Sequence, residues 1–160
     1  MNYEERMDCQ LNQDPAKCLE SPMERSLYEE LKTQGMAPIM QYKLDKFFLD
    51  LAFPDVKVAV EYDGSHHFDN DEDFTKDKER RKKIEALGWK MISVNHQYFN
   101  EFEVNLDLSN TKYEKSIYHV SKLISLIIRD IRAEKRQREK EDSEEKRRVD
   151  MLDQLKDRLL

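Results

Sequence analysis

Apolar positions in this chain follow two spacings: short dense runs between residues 39 and 62, and a recurrence at every third or fourth residue after residue 112. The first spacing is that of strands and the second that of a helix. Ile39–Leu44, Phe47–Phe53 and 56–62 read as three strands, with Pro54-Asp55 as a tight turn between the last two. Ahead of them Ser21 caps a helix that has Pro22 at its first position and Gly35 beyond its end. Leu27, Tyr28 and Leu31 form its apolar stripe. A second helix is predicted over 71–87, stopped by Gly88, with acids at its start and Lys82-Lys83 near its end as the helix dipole favours. WKMISV (89–94) makes a fourth strand, and 95–111 reads as irregular, rich in Asn and Asp. Residues 1–20 carry little apolar pattern and read as a loose, flexible arm.

From about residue 112 the chain reads as one long helix. Ile117, Val120, Ile124, Ile127 and Ile131 form an apolar seam. Charges fill that seam from Arg132 to Arg148, and Met151, Leu152, Leu155 and Leu159 resume it. A stretch so polar cannot form a dry coiled-coil core. It reads as a solvated helix held by pairs such as Glu134–Arg138 and Asp142–Lys146. The order helix, three strands, helix, strand, helix predicts an α/β fold: a mixed sheet flanked by helices over 21–111, followed by the long helix of 112–160, its first part packing on the core.

Composition changes the picture in few places. The 160 residues suffice for one domain plus an appendage. The 39% charged residues and mean hydropathy of −0.93 would suggest disorder if spread evenly, but apolar residues concentrate between residues 27 and 131. No run reaches the length of a membrane span, and Met1 begins no apolar signal segment. Two cysteines, Cys9 and Cys18, are too few for a disulfide framework and fit a reducing, cytoplasmic compartment. Their spacing does not suit a zinc-ligand pair. The net charge of −6 argues against a generic nucleic-acid glue, yet TKDKERRKK (75–83) holds six basic residues against two acidic ones.

The candidate chemistry lies in the second and third strands. If Pro54-Asp55 is a two-residue hairpin loop, Phe53 faces Val56, Asp50 faces Ala59 and Phe48 faces Glu61. Asp50 and Glu61 then emerge on one sheet face as diagonal neighbours, roughly 7–8 Å apart and within reach of one cation. Val56, Val58, Val60 and Tyr62 take the opposite face. Two facing acids repel, so the pair demands a metal or a basic group.

SPMERSLYEEL (21–31), Gln41, FFLDLAFPDVKVAVEYDGSHH (47–67), DKER (77–80) and LGWKMISV (87–94) together resemble the Vsr-like endonucleases, a branch of the PD-(D/E)XK restriction-endonuclease superfamily. The likeness covers about residues 21–100. It implies a restriction-endonuclease-like fold and metal-dependent hydrolysis of DNA phosphodiester bonds, with RNA as the less expected substrate. Asp50 and Glu61 correspond to the metal-binding acids, suited as hard oxygen donors to Mg²⁺ or Mn²⁺. The backbone carbonyl of Tyr62 matches the usual completing ligand. Asp63 stands where the superfamily usually carries lysine, and an acid followed by Gly64 and a later His is the local pattern of the branch. Asp63 reads either as a site residue or as a turn residue before Gly64.

His67 matches the branch's histidine and is suited to proton transfer. His66, where glutamine is usual, leaves open which of the adjacent pair acts. Glu24 completes a capping box with Ser21, yet shares a face with Leu27 and Leu31 and matches a family acid that reaches the site. Asp77 reads as a partner of Arg80 or Arg81, or as a further site residue. Lys76, Lys78, Arg80, Arg81, Lys82 and Lys83 are the expected backbone-binding residues. Ser93 departs from an arginine usual at that place. Two rival readings follow from the same residues. One is a nuclease scaffold that binds nucleic acid without turnover. The other is an adaptor acting through its C-terminal helix, which also offers Met151, Leu152, Leu155 and Leu159 for homodimerisation.

Overall fold

Helix α3 (Pro22–Thr33) begins as its sequence dictates. The Ser21 hydroxyl accepts from the Glu24 N–H, the Glu24 carboxylate accepts from the Ser21 N–H, and Pro22 occupies a position whose N–H has no helical partner. Its end is closed by Gly35 at φ +77°, with the Met36 N–H returning to the Leu31 carbonyl. In this computed structural model the chain continues as β1 (Ile39–Leu44), β2 (Phe47–Phe53), β3 (Val58–Asp63), α4 (Asp71–Ala86), β4 (Lys90–Asn95), β5 (Tyr98–Phe99), β6 (Val104–Asn105) and α5 (Tyr113–Leu159). The structure describes residues 1–63, 71–95, 98–99, 104–105 and 113–160.

The strands form one mixed sheet in the order β1-β2-β3-β4-β5-β6, with β3 and β4 parallel and the other neighbours antiparallel. Helix α4 makes the crossover that a parallel pair requires. This is the α/β architecture that the order of elements predicts. The segment expected to be irregular nevertheless contains β5 and β6, two short strands that extend the sheet.

The β2–β3 connection departs from the two-residue expectation. A two-residue hairpin loop needs positive φ at its first position, and proline is fixed near −65°. Residues 54–57 therefore make a four-residue turn that ends with Lys57 at φ +53°, and Val56 lies in the turn rather than in the strand. The register becomes Phe53↔Val58, Ala52↔Ala59 and Leu51↔Val60. This is a shift of two residues, so face assignments survive while every cross-strand partner changes. The two-residue hairpin is instead the β1–β2 turn, where Leu44 pairs with Phe47 and Asp45 takes φ +52°.

Residues 1–20, expected to be a loose arm, fold as α1 (Tyr3–Asn12) and α2 (Pro15–Cys18). Asn2 caps α1 in a capping box with Glu5, and Asp14 caps α2. The Gln13 side-chain amide bonds both the N–H and the C=O of Met40, at 2.8 and 3.0 Å. It thereby satisfies the outer edge of β1. Cys9 and Cys18, expected to be unpaired, form a disulfide with Cα atoms 5.4 Å apart, and both are buried.

One apolar cluster joins Leu49, Ala52, Ala59 and Met91 from the sheet with Ile84 of α4 and Trp89. Trp89 follows Gly88 at φ +84°, where its N–H reaches the Ile84 carbonyl and closes α4. Met1–Ser125 forms one compact unit and Leu126–Leu160 a second. In α5 the buried apolar positions among the described side chains are Ile117, Val120, Ile124 and Ile128, whereas Ile127 and Ile131 of the expected seam are half-buried. Within the second unit the side chains beyond residue 132 are exposed, and Glu134–Arg138 pair at 3.7 Å. Among the described residues no helix is long and apolar enough to cross a membrane.

Candidate active site

Asp50 and Glu61 meet where the β2–β3 ladder opens. The last paired row is Leu51↔Val60, and the next row in the same register sets Asp50 opposite Glu61. In that register the acids would stand opposite each other rather than diagonally, a consequence of the four-residue turn. On the other side of Asp50, the rows Met40↔Leu51 and Tyr42↔Leu49 bracket Gln41. Gln41 is only 3% exposed and takes φ +50°, which interrupts the pleat of β1 at this row.

Glu61 is buried on β3, and its basic partner comes from α4. Arg80 donates from Nη1 to Glu61 Oε2 at 2.7 Å and from Nη2 to Oε1 at 2.5 Å. Nη2 also reaches the Phe48 carbonyl at 2.8 Å. Burial pulls the Arg80 pKa down, but the hydrogen bond and charge of Glu61, with the charges of Asp50 and Asp77, more than offset it and the net shift is upward. Arg80 is therefore turned into the sheet.

Asp50 behaves differently. Withdrawal from water, then the charge of Glu61, then that of Glu24, raise its pKa from 3.8 to about 8, against the opposing charges of Arg80 and Arg6. Negative charge is thus in excess at this row even with two guanidinium groups nearby. The donor set fits a divalent cation: two carboxylates supply hard oxygens, and burial with the neighbouring acids disfavours the charge of Asp50 until a cation offsets it. Among the described residues no group of three His, Cys, Asp or Glu side chains comes together. Glu61 would share its oxygens between that cation and Arg80.

The remaining candidates divide. The Glu24 Oε2 accepts from the backbone N–H of Glu20 at 2.8 Å and of Ser21 at 3.2 Å, and its charge also acts on Asp50. The capping reading of Glu24 is the one these hydrogen bonds show. Tyr62 is buried in register with Val94 of β4, and Asp63 pairs with Asn95 at the end of β3, its carboxylate outside the described part. His66 and His67 lie outside the described residues.

Asp77 is exposed rather than packed, and its charge acts on Arg80 one turn along α4. Arg81 donates to the Met91 carbonyl at 2.7 Å and to Ser93 Oγ at 3.2 Å. A guanidinium thus reaches Ser93 of β4 from α4. Lys76, Lys78, Lys82 and Lys83 are exposed, while Arg80 and Arg81 are half-buried and tied inward.

Two neighbours of Asp50 were not singled out by sequence reasoning. Gln41 entered only as part of a motif likeness, and Arg6 carried no signal. Arg6 Nη1 donates to Gln41 Oε1, and Gln41 Nε2 donates to the Cys18 carbonyl at 3.2 Å. These contacts span 35 and 23 residues, so no local pattern could reveal them.

Residues 23–107, just over half of the chain, match the model of a restriction-endonuclease family, REase_MTES_1575. Comparison with curated proteins returns no match. Among solved structures, the chain is similar to "Homing Endonuclease I-Bth0305I Catalytic Domain", with 12% identity, 70% of this chain and 94% of that one covered, and a TM-score of 0.45.

Proposed function

We propose, because this chain belongs to the restriction-endonuclease family REase_MTES_1575, that it is a metal-dependent endonuclease acting on DNA phosphodiester bonds. The observation that carries the reading is the placing of Asp50 beside Glu61 where the ladder opens, with burial and the charges of Glu61 and Glu24 raising the Asp50 pKa. Asp50 and Glu61, with the Tyr62 carbonyl, would hold Mg²⁺ or Mn²⁺, which when bound would supply an acidified water and neutralise charge on the scissile phosphate.

The chain's own residues do the rest. His67, matching the histidine of Vsr-like nucleases, takes the proton of the attacking water or returns one to the leaving oxygen, with His66 as the alternative at that position. Asp63 orients that histidine. Glu24 sets the charge around Asp50 from the start of α3. Arg80 holds Glu61 oriented through its two hydrogen bonds. Lys76, Lys78, Lys82 and Lys83 on the outer side of α4 hold the sugar–phosphate backbone.

A cleavage assay on supercoiled plasmid and single-stranded DNA, with Mg²⁺, Mn²⁺ or EDTA, tests this beside Asp50→Ala. Nicking that needs the metal and disappears in the variant is the expected result. Binding without cleavage under every metal would replace the reading with that of a non-hydrolysing scaffold.

A further inference from the structure

We propose that Arg6, on α1 and outside the segment that matches the family, contacts substrate by binding a DNA phosphate beside the Asp50–Glu61 row. The inference rests on the endonuclease reading and adds a residue to it.

Arg6 is braced on two sides. Its Nη1 donates to Gln41, the buried residue that the β1–β2 register sets across from Asp50. Its guanidinium carbon lies 5.7 Å from the centre of the Phe48 ring, and Nε reaches the Met1 carbonyl at 3.4 Å. Phe48 is also the residue whose carbonyl accepts from Arg80. Two guanidinium groups therefore flank the acidic row, Arg80 from α4 and Arg6 from α1.

Their commitments differ. Arg80 gives both terminal nitrogens to Glu61, whereas Arg6 bonds a neutral amide. The Arg6 charge acts on Asp50 and on Glu20, and a positive charge beside a pair of carboxylates matters to a polyanion, because the acids repel the strand that the site has to admit. A guanidinium has five N–H donors in a planar fork that matches phosphate, and its bracing by Gln41 lowers the entropy lost on binding. The α1–α2 segment holds Arg6 there through the Cys9–Cys18 disulfide and the Gln13–Met40 bonds.

The bland alternative is that Arg6 only ties α1 to the sheet. Salt dependence separates the two, since each phosphate neutralised on duplex DNA contributes about 0.9 to the slope of log affinity against log salt. Binding of a labelled duplex would be measured in EDTA for the full chain and for Arg6→Gln, Arg6→Met and Arg6→Lys, with thermal melting to verify folding. Gln keeps a polar amide and Met an apolar stem, both without the charge. The expected result is a slope lower by about 0.9 in the folded charge-free variants, with affinity reduced severalfold near 0.1 M salt, and a wild-type slope in Arg6→Lys. A wild-type slope in every folded charge-free variant, or an equal fall in Arg6→Lys, overturns the assignment. Wild-type protein that neither binds nor cuts DNA overturns the endonuclease reading itself.

Discussion

Arg80 grips both carboxylate oxygens of Glu61, at 2.7 and 2.5 Å, so one of the two neighbouring acids is neutralised by the protein and the other, Asp50, by a proton. The pair that demands a metal or a base thus has its base already, for one member. Arg80 is 31% exposed in its side chain and Glu61 10%, which makes the contact more than a surface ion pair.

Arg80→Gln leaves Glu61 buried without its charge partner. Breaking a buried pair on one side costs roughly 3–5 kcal/mol, and partial exposure of Arg80 reduces that to about 2 kcal/mol. Urea denaturation in EDTA should show this loss. Millimolar Mg²⁺ should restore more stability to the variant than to the wild type, because the cation then takes over the role of the guanidinium. Equal Mg²⁺ stabilisation of both proteins would separate Arg80 from the metal site.

The Asp50 carboxyl, raised from 3.8 to about 8, fixes the sign of a pH effect. Between those values the folded protein keeps a proton that the unfolded chain has released, so rising pH lowers stability across the window and adds nothing further above it. In EDTA, Asp50→Asn should be more stable than wild type at pH 9, and the advantage should vanish near pH 4. Chemical denaturation of both proteins across that range checks it. A difference independent of pH would place the Asp50 pKa near its ordinary value.

Legibility followed the distance over which each feature is specified. The caps of α3, the stop of α4 at Gly88 and the solvated stretch of α5 are local, and Ser21, Pro22, Gly88 and the charge run after Ile131 announce them. The α/β order followed from these. The face shared by Asp50 and Glu61 was legible because alternation survives a shift of two, but their direct opposition was not. It depended on Pro54 forbidding the shorter turn, a constraint present in the letters and outweighed by the hairpin pattern. The helices of 1–20 were hidden because α1 is polar on most sides and its fixing contacts, Gln13 to Met40 and Cys9 to Cys18, pair side chains across the chain. The inward turn of Arg80 and Arg81 was masked by their place in a basic run, where composition suggests a solvated face and only packing around Ile84 reveals otherwise.

The disulfide makes the α1–α2 segment sensitive to reduction. Cys9 and Cys18 are nine positions apart, and closing a loop of that size stabilises the fold by about 2–3 kcal/mol in the chain-entropy account. Cys9→Ser with Cys18→Ser should therefore lower the urea-derived stability by about that amount, and dithiothreitol should do the same to wild type but not to the double variant. Alkylation of the native protein without reductant should label neither cysteine. Labelling of both under those conditions would show thiols in place of the bond.

Removal of 132–160 separates the chemistry from the C-terminal helix. Asp50, Glu61, Arg80, Arg6 and Gln41 all belong to the Met1–Ser125 unit, and the side chains after residue 132 are exposed, including Met151, Leu152, Leu155 and Leu159. A segment that buries so little contributes little hydrophobic stabilisation. The shortened chain should keep its denaturation midpoint, its Mg²⁺ dependence and its cleavage per molecule. Light scattering should show whether the exposed leucine stripe pairs two copies: the full chain is expected as a dimer and the shortened one as a monomer. Cleavage lost together with the dimer, and regained when two shortened chains are fused in tandem, would make the helix a device for setting two sites on one duplex. Cleavage lost and not regained by fusion would assign residues 132–160 to substrate binding.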